Sequence, residues 1–210
     1  MNSSEQVRRI YTILDAHYPG ELGFLRYRSP FELLIAVILS AQTTDRQVNA
    51  VTPELFRQFP TPAMLAAAEA DEVADIIRST GYFRVKSRNS IQAARVIHEE
   101  FADAVPDEME LLLKIPGVGR KSANVILGAV FDKPAIIVDT HFARVVRRLG
   151  LTRAGSPAVI EREVSELVAP GRQYRFSMLI NNHGRVSCQA RSPDRRSCPL
   201  RQLCPRVGIS

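Results

Sequence analysis

The chain has 210 residues, 45% hydrophobic and 24% charged, with a formal net charge of +6 and an isoelectric point near 9.6. That composition can build a core in one domain or two small ones and excludes a disordered chain; the longest apolar run, Leu33 to Leu39, is too short to cross a bilayer. The start MNSSEQVRRIYTIL has no apolar signal region, so an intracellular, soluble protein is expected, and the basic balance suits an anionic partner such as nucleic acid, though many basic proteins bind none.

In chain order the segments read mostly as helices. Val7, Ile10, Tyr11 and Leu14 follow the rhythm of an amphipathic helix. Ser29-Pro30-Phe31-Glu32 carries a capping-box serine and glutamate with proline at the first helical position. The apolar run behind it predicts a helix buried all round. Thr52-Pro53, Thr61-Pro62 and Ser156-Pro157 repeat the cap-plus-proline start. Gly81 is placed to end the helix carrying Ile76 and Ile77. A further helix is expected over Ser87 to Phe101, stopping before Pro106. Leu113, Ile115, Val118, Ala123, Ile126 and Leu127 are spaced to pack two short helices against each other. Ala135 to Val138 is the best strand candidate and reads as a short extended connector. Few stretches alternate with period two, and no repeat or low-complexity linker is visible. An all-α fold of about ten helices follows. The tail beyond Gly184 is rich in arginine, serine and proline and holds all three cysteines.

The segment Leu112 to Thr140, LLKIPGVGRKSANVILGAVFDKPAIIVDT, concentrates the chemistry. Gly117 and Gly119 allow a turn too tight for side chains. Successive N–H groups around Gly117, Val118 and Gly119, with the helix start at Arg120, form a donor site for a phosphate that ignores base sequence. PGVG is also the turn of any ordinary helix–turn–helix connection; the following Arg120-Lys121 in a basic chain favours the phosphate reading. Lys121 stands in the first turn of the second helix. A free lysine is almost wholly ammonium at neutral pH, so a nucleophilic amine needs help. The positive end of the helix dipole gives some, and burial in a pocket would add more. Standing alone, such a lysine would be read as a solvated phosphate contact. Asp139 changes the weighing. It reads as the N-cap of the helix HFARVVRRLGL, and a carboxylate fixed by capping can also stabilise a sugar cation or take a proton from an attacking amine.

IPGVGRKSAN…VDTH resembles the LPGVGRKTAN…VDTH pattern of the helix–hairpin–helix DNA glycosylases, and within them the endonuclease III group. Ile38-Leu39-Ser40-Ala41-Gln42-Thr43-Thr44-Asp45 is similar to the family's LLSAQxTD. Gly81-Tyr82-Phe83-Arg84-Val85-Lys86 matches G-[LYF]-[YF]-x-x-K, and His183-Gly184-Arg185-Val186-Ser187-Cys188 matches HGR-x-x-C. The resemblance runs from about Val7 to Cys204. It implies a bifunctional repair enzyme acting as a monomer, in the cytoplasm with the nucleoid, on double-stranded DNA holding a damaged base or an abasic site. Lys121 matches the Schiff-base lysine and Asp139 the catalytic aspartate. A damaged pyrimidine is rotated out of the duplex, Lys121 attacks C1′, and β-elimination cuts the strand 3′ to the lesion. Gln42 matches the residue that fills the gap opposite the flipped base, and Tyr82 the intercalating wedge, commonly leucine in the family. His141 is expected either at the DNA backbone or satisfied locally at its helix start. Arg84, Lys86 and Arg88 form a basic strip or a merely solvated helix face. In the first case each phosphate neutralised adds about 0.9 to the log–log salt slope.

The implied fold is two-lobed. A central lobe of six helices spans 21–134, with the hairpin motif at 112–127. The second lobe joins 1–20 to 135–210 and carries a cysteine loop at 188–204. DNA would lie in the cleft between the lobes. The family usually ends in C-x6-C-x2-C-x5-C around a [4Fe–4S] cluster. Here Cys188, Cys198 and Cys204 match three of those cysteines, and Arg195, which only donates, stands at the other. Three readings stay open: a cluster completed by Asp194, another side chain or solvent; no cluster; or zinc on the cysteines and His183. A disulfide is not expected in an intracellular chain. Two rival functions are a monofunctional mismatch glycosylase, against which Lys121 speaks, and a non-catalytic DNA-binding module, against which the pairing of Lys121 with Asp139 speaks.

Overall fold

The computed structural model describes residues 3–20, 22–23 and 25–208. Glu21, read as the start of the central lobe, lies outside them. The described residues hold eleven α-helices: α1 (Ser3–His17), α2 (Pro30–Leu39), α3 (Asp45–Gln58), α4 (Pro62–Ala66), α5 (Ala70–Ile76), α6 (Phe83–Phe101), α7 (Met109–Leu112), α8 (Arg120–Val130), α9 (Thr140–Arg148), α10 (Pro157–Leu167) and α11 (Gln173–Val186). Short 3-10 turns cover Arg78–Thr80 and Pro170–Arg172. The expected all-α class holds: no strand occurs among the described residues. Nor is any described helix long and apolar enough to cross a membrane. The chain divides into two compact units, Gly23–Phe131, and Met1–Leu22 with Asp132–Ser210.

In the unit Gly23–Phe131, α2 is the centre. Phe31 and every residue from Leu33 to Leu39 are buried, and α3, α6 and α8 pack around it. Each of these side chains larger than alanine contributes about 1.5–3 kcal/mol of transfer free energy. Ser29 Oγ accepts from the Glu32 amide at 3.2 Å, while the Glu32 carboxylate accepts from the amide of Arg28 at 2.7 Å, one residue further out than the usual box.

Two boundaries differ from the sequence reading. Thr52-Pro53 starts no helix. Thr44 caps α3 instead, accepting from the Gln47 amide at 3.2 Å, and Pro53 lies inside the helix. An interior proline removes one amide donor from the helix ladder. The buried face of Val48, Val51 and Leu55 holds α3 together across it. The helix expected from Ser87 begins at Phe83, because Tyr82 takes a left-handed φ of 49° as its N-cap, with no side-chain cap to announce it.

In the other unit, Val7, Ile10 and Leu14 of α1 join Phe142 and Val146 of α9, Ile160 and Val164 of α10, and Phe176, Leu179 and Ile180 of α11 in one core. Residues 132–139 form neither helix nor strand, with Ala135, Ile136 and Ile137 buried. The Ile137 amide donates to Ser177 Oγ at 3.0 Å, which anchors this connector to α11 just ahead of Asp139.

Candidate catalytic site and nucleic-acid interface

The hairpin is built on one left-handed glycine. The Val118 amide donates to the Ile115 carbonyl at 3.1 Å, and Gly117 takes φ +83° behind Pro116, the pattern of a type II turn. A Cβ on Gly117 would also stand 3.2 Å from Ile38 Cγ2 of α2. Gly119 corrects the sequence reading. Its φ is −98°, and a Cβ there would meet nothing within 4 Å, so the fold does not demand glycine at 119. Gly119 is instead the N-cap of α8 and offers no side-chain acceptor. The helix therefore opens at Arg120 without a side-chain cap, the arrangement that accepts an anion. Val118 is buried, while Arg120 and Lys121 are exposed.

Gln42 and Tyr82 share an unusual state. Both are exposed, and both are non-glycine residues at positive φ, 52° and 49°. Their loops are joined by one carbonyl. Thr80 O accepts from Thr43 Oγ1 and from Lys86 Nζ, the latter at 2.8 Å. Lys86 is consequently not part of an exposed basic strip. It is 4% exposed, and burial lowers its pKa. Arg84 and Arg88 remain exposed, and the Arg78 and Arg84 guanidinium groups lie 5.6 and 5.7 Å from the Phe83 ring centre.

Asp139 belongs to the other unit from Lys121. It is the N-cap of α9: Oδ1 accepts from the Phe142 amide at 2.8 Å. Oδ2 accepts from the amide of Asn181 on α11, and Asn181 Oδ1 in turn accepts from Arg185 Nε at 2.9 Å. Sequence reasoning missed Asn181, which is 6% exposed in mid-helix and carries no motif signal of its own. His141 is half-buried, with Nδ1 at 3.2 Å from Arg144 Nη2. Arg144 also donates to Gly184 O at 2.7 Å, and a Cβ on Gly184 would stand 3.0 Å from His141 Cβ. The glycine of the HGR motif thus lets α11 meet α9 at the base of Asp139.

Cys188, Cys198 and Cys204 are free thiols lining one cavity of about 40 Å³, room for about one water. No three His, Cys, Asp or Glu side chains among the described residues converge to hold a metal ion. Burial raises the pKa of Cys198 and Cys204 in the metal-free chain. Arg195 is exposed and offers only donors. The Asp194 carboxylate already accepts from the amide and hydroxyl of Ser197. Buried His183, its pKa lowered to about 4 chiefly by desolvation, has Nδ1 at 3.0 Å from Tyr18 Oη and Nε2 at 3.6 Å from Cys198 Sγ. Arg148 meanwhile ties the loop, donating to the carbonyls of Cys188, Gln189 and Ala190 and to Cys188 Sγ. The three cysteine sulfurs supply one thiolate fewer than the four that usually hold a [4Fe–4S] cluster.

A helical unit that presents a glycine turn and a lysine at a bare helix start has a counterpart among known proteins. Residues 35–170 match the HhH-GPD superfamily of base excision DNA repair proteins. Endonuclease III of Synechocystis sp. is 45% identical over 210 residues, covering 100% of this chain and 96% of that protein. Two solved structures, a non-covalent endonuclease III–DNA complex and a trapped endonuclease III–DNA covalent intermediate, are each 38% identical with a TM-score of 0.91. Each match covers 98% of this chain and 97% of the other. The chain belongs to the endonuclease III family.

Proposed function

We propose that this chain is a base-excision repair enzyme of duplex DNA, an N-glycosylase for oxidised pyrimidines that is also an AP lyase. The observation that carries the reading is Lys121, an exposed amine in the first turn of α8 directly behind the left-handed turn at Gly117. Backbone amides at the turn and the start of α8, at Gly117, Gly119 and Arg120, take a phosphate, with Arg84, Arg88 and His141 as further backbone contacts. Gln42 fills the gap left by the flipped nucleotide, and Tyr82 wedges between bases. The Lys121 amine forms a bond to C1′ as the C1′–N bond to the base breaks, and the base leaves with its electron pair. One amine proton then passes to O4′ as the C1′–O4′ bond breaks, which opens the sugar and leaves a protonated imine. It acidifies C2′; removal of a C2′ proton breaks the C3′–O bond and releases a 5′-phosphate end. Water then hydrolyses the imine and returns the lysine. Asp139 supplies negative charge for the sugar cation and accepts a proton. Since Lys121 is exposed in the free chain, its desolvation comes from the bound DNA.

Borohydride added while the protein acts on abasic duplex is expected to reduce the imine and leave a covalent protein–DNA complex. Protein that neither traps nor cleaves this duplex is not a lyase, and the reading fails. Base release without cleavage would mark a monofunctional glycosylase, and binding without either a passive DNA module. The enzyme works in the cytoplasm with the nucleoid, where its substrate lies.

The cysteine loop needs no cluster in this reading, because Arg148 ties it to α9 and the Asp194–Ser197 bonds brace it from within. Freshly purified protein is expected to be colourless and free of iron, with a melting temperature unchanged by chelators. Iron near four atoms per chain with visible charge-transfer absorption would reverse this.

A further inference from the structure

Two exposed side chains in left-handed backbone need an explanation. A non-glycine residue in that region costs about 1–3 kcal/mol and persists only where its surroundings impose it. Gln42 and Tyr82 are both solvent-facing, Tyr82 at 69%, so their own packing does not impose it. What holds them lies underneath. Thr80 is 1% exposed and its hydroxyl donates to the Ile77 carbonyl at 2.8 Å, which fixes the turn before Gly81. Its own carbonyl takes Thr43 from the Gln42 loop on one side and Lys86 from the first turns of α6 on the other. Gln47 on α3 adds a bond to Ser79 Oγ. The two loops are 37 residues apart in sequence and share one acceptor.

We propose that Lys86 is a positioning residue: its buried ammonium clasps Thr80 O so that Gln42 and Tyr82 enter the duplex as one rigid two-pronged insert. This rests on the DNA-repair reading above. A lysine can do this where a neutral donor would not, because a charge-assisted bond to a carbonyl is about twice as strong as a neutral one. Preorganising both prongs also removes the ordering cost from the moment of insertion. The amine that acts on the sugar is on α8, so the clasp governs opening of the helix and not the bond changes.

Lys86→Met keeps the side-chain length and removes the donor; Thr43→Val removes only a hydroxyl. Each is compared with wild type on abasic duplex and on the same abasic strand unpaired, where there is no stack to open. A 2-aminopurine opposite the abasic site reports insertion. The expected result for both variants is a fall of about tenfold in duplex cleavage and in the saturating 2-aminopurine signal. The unpaired strand is then cleaved within twofold of wild type. Equal loss on both substrates marks general damage and overturns the proposal, as does a wild-type duplex rate. If Lys86→Met does not fold, Thr43→Val is read by the same criteria. Failure of the repair reading itself is distinct, because wild-type protein would then cleave neither substrate.

Discussion

Lys121→Gln is expected to abolish the borohydride-trapped complex and to cut cleavage of abasic duplex by roughly 10³-fold or more, the scale of losing a covalent catalyst. Folding should not suffer. Lys121 is exposed in the first turn of α8, where a cation opposes the helix dipole, so its removal should raise stability by about 0.3–1 kcal/mol. Glutamine keeps most of the reach and the polar tip, so affinity for duplex should change little. The combination of unimpaired folding, retained binding and lost cleavage separates a nucleophile from a phosphate contact. A phosphate contact would instead weaken binding and flatten its salt dependence by about 0.9 in the log–log slope. Trapping of Lys121→Gln at wild-type yield would mean that another amine attacks C1′.

Legibility in the sequence followed the physics of each signal. Helices with a serine or threonine cap and an apolar face were readable: Ser29 before α2 and Thr61 before α4 both accept from the third amide onward, as their patterns require. Thr52-Pro53 misled because the same dipeptide can sit inside a helix when an earlier cap, here Thr44, has already started it and tertiary packing holds it. The start of α6 was hidden because it rests on a left-handed tyrosine, a conformation that no residue preference encodes.

The site divides in the same way. Backbone devices were legible, since proline followed by glycine specifies the turn at Gly117. Side-chain orientation was not. Lys86 lies two residues from Arg84 and two from Arg88, and by composition all three look alike. Lys86 turns inward to Thr80 O, and the two arginines stay in water. Gly119 read as a second conformational glycine, yet its backbone angles suit any residue. The contacts of Asp139 were half readable. Its capping of α9 follows from the extended segment before it, whereas its bond to Asn181 joins residues 42 apart that only the packing of α9 on α11 brings together.

That long-range bond makes a strong test of what Asp139 does. Asp139→Asn keeps the oxygen that caps Phe142 N but sets its new amide against the amide of Asn181, donor to donor. A buried group left unpaired costs about 1–3 kcal/mol, so the single variant should melt lower and lose activity together, which alone proves little. The exchange Asp139→Asn with Asn181→Asp restores a donor–acceptor pair in reversed sense, and the new carboxylate can still accept from Arg185 Nε. Stability should therefore return to within about 0.5 kcal/mol of wild type, near the limit at which independent effects are resolved. Activity should not return, because the negative charge has moved off the α9 cap. If Asp139 stabilises the sugar cation or takes the amine proton, single-turnover base release by the exchanged protein stays roughly 10²–10⁴-fold below wild type. Base release that recovers together with the melting temperature would instead mean that the aspartate only caps a helix, and the proton acceptor would have to be sought elsewhere.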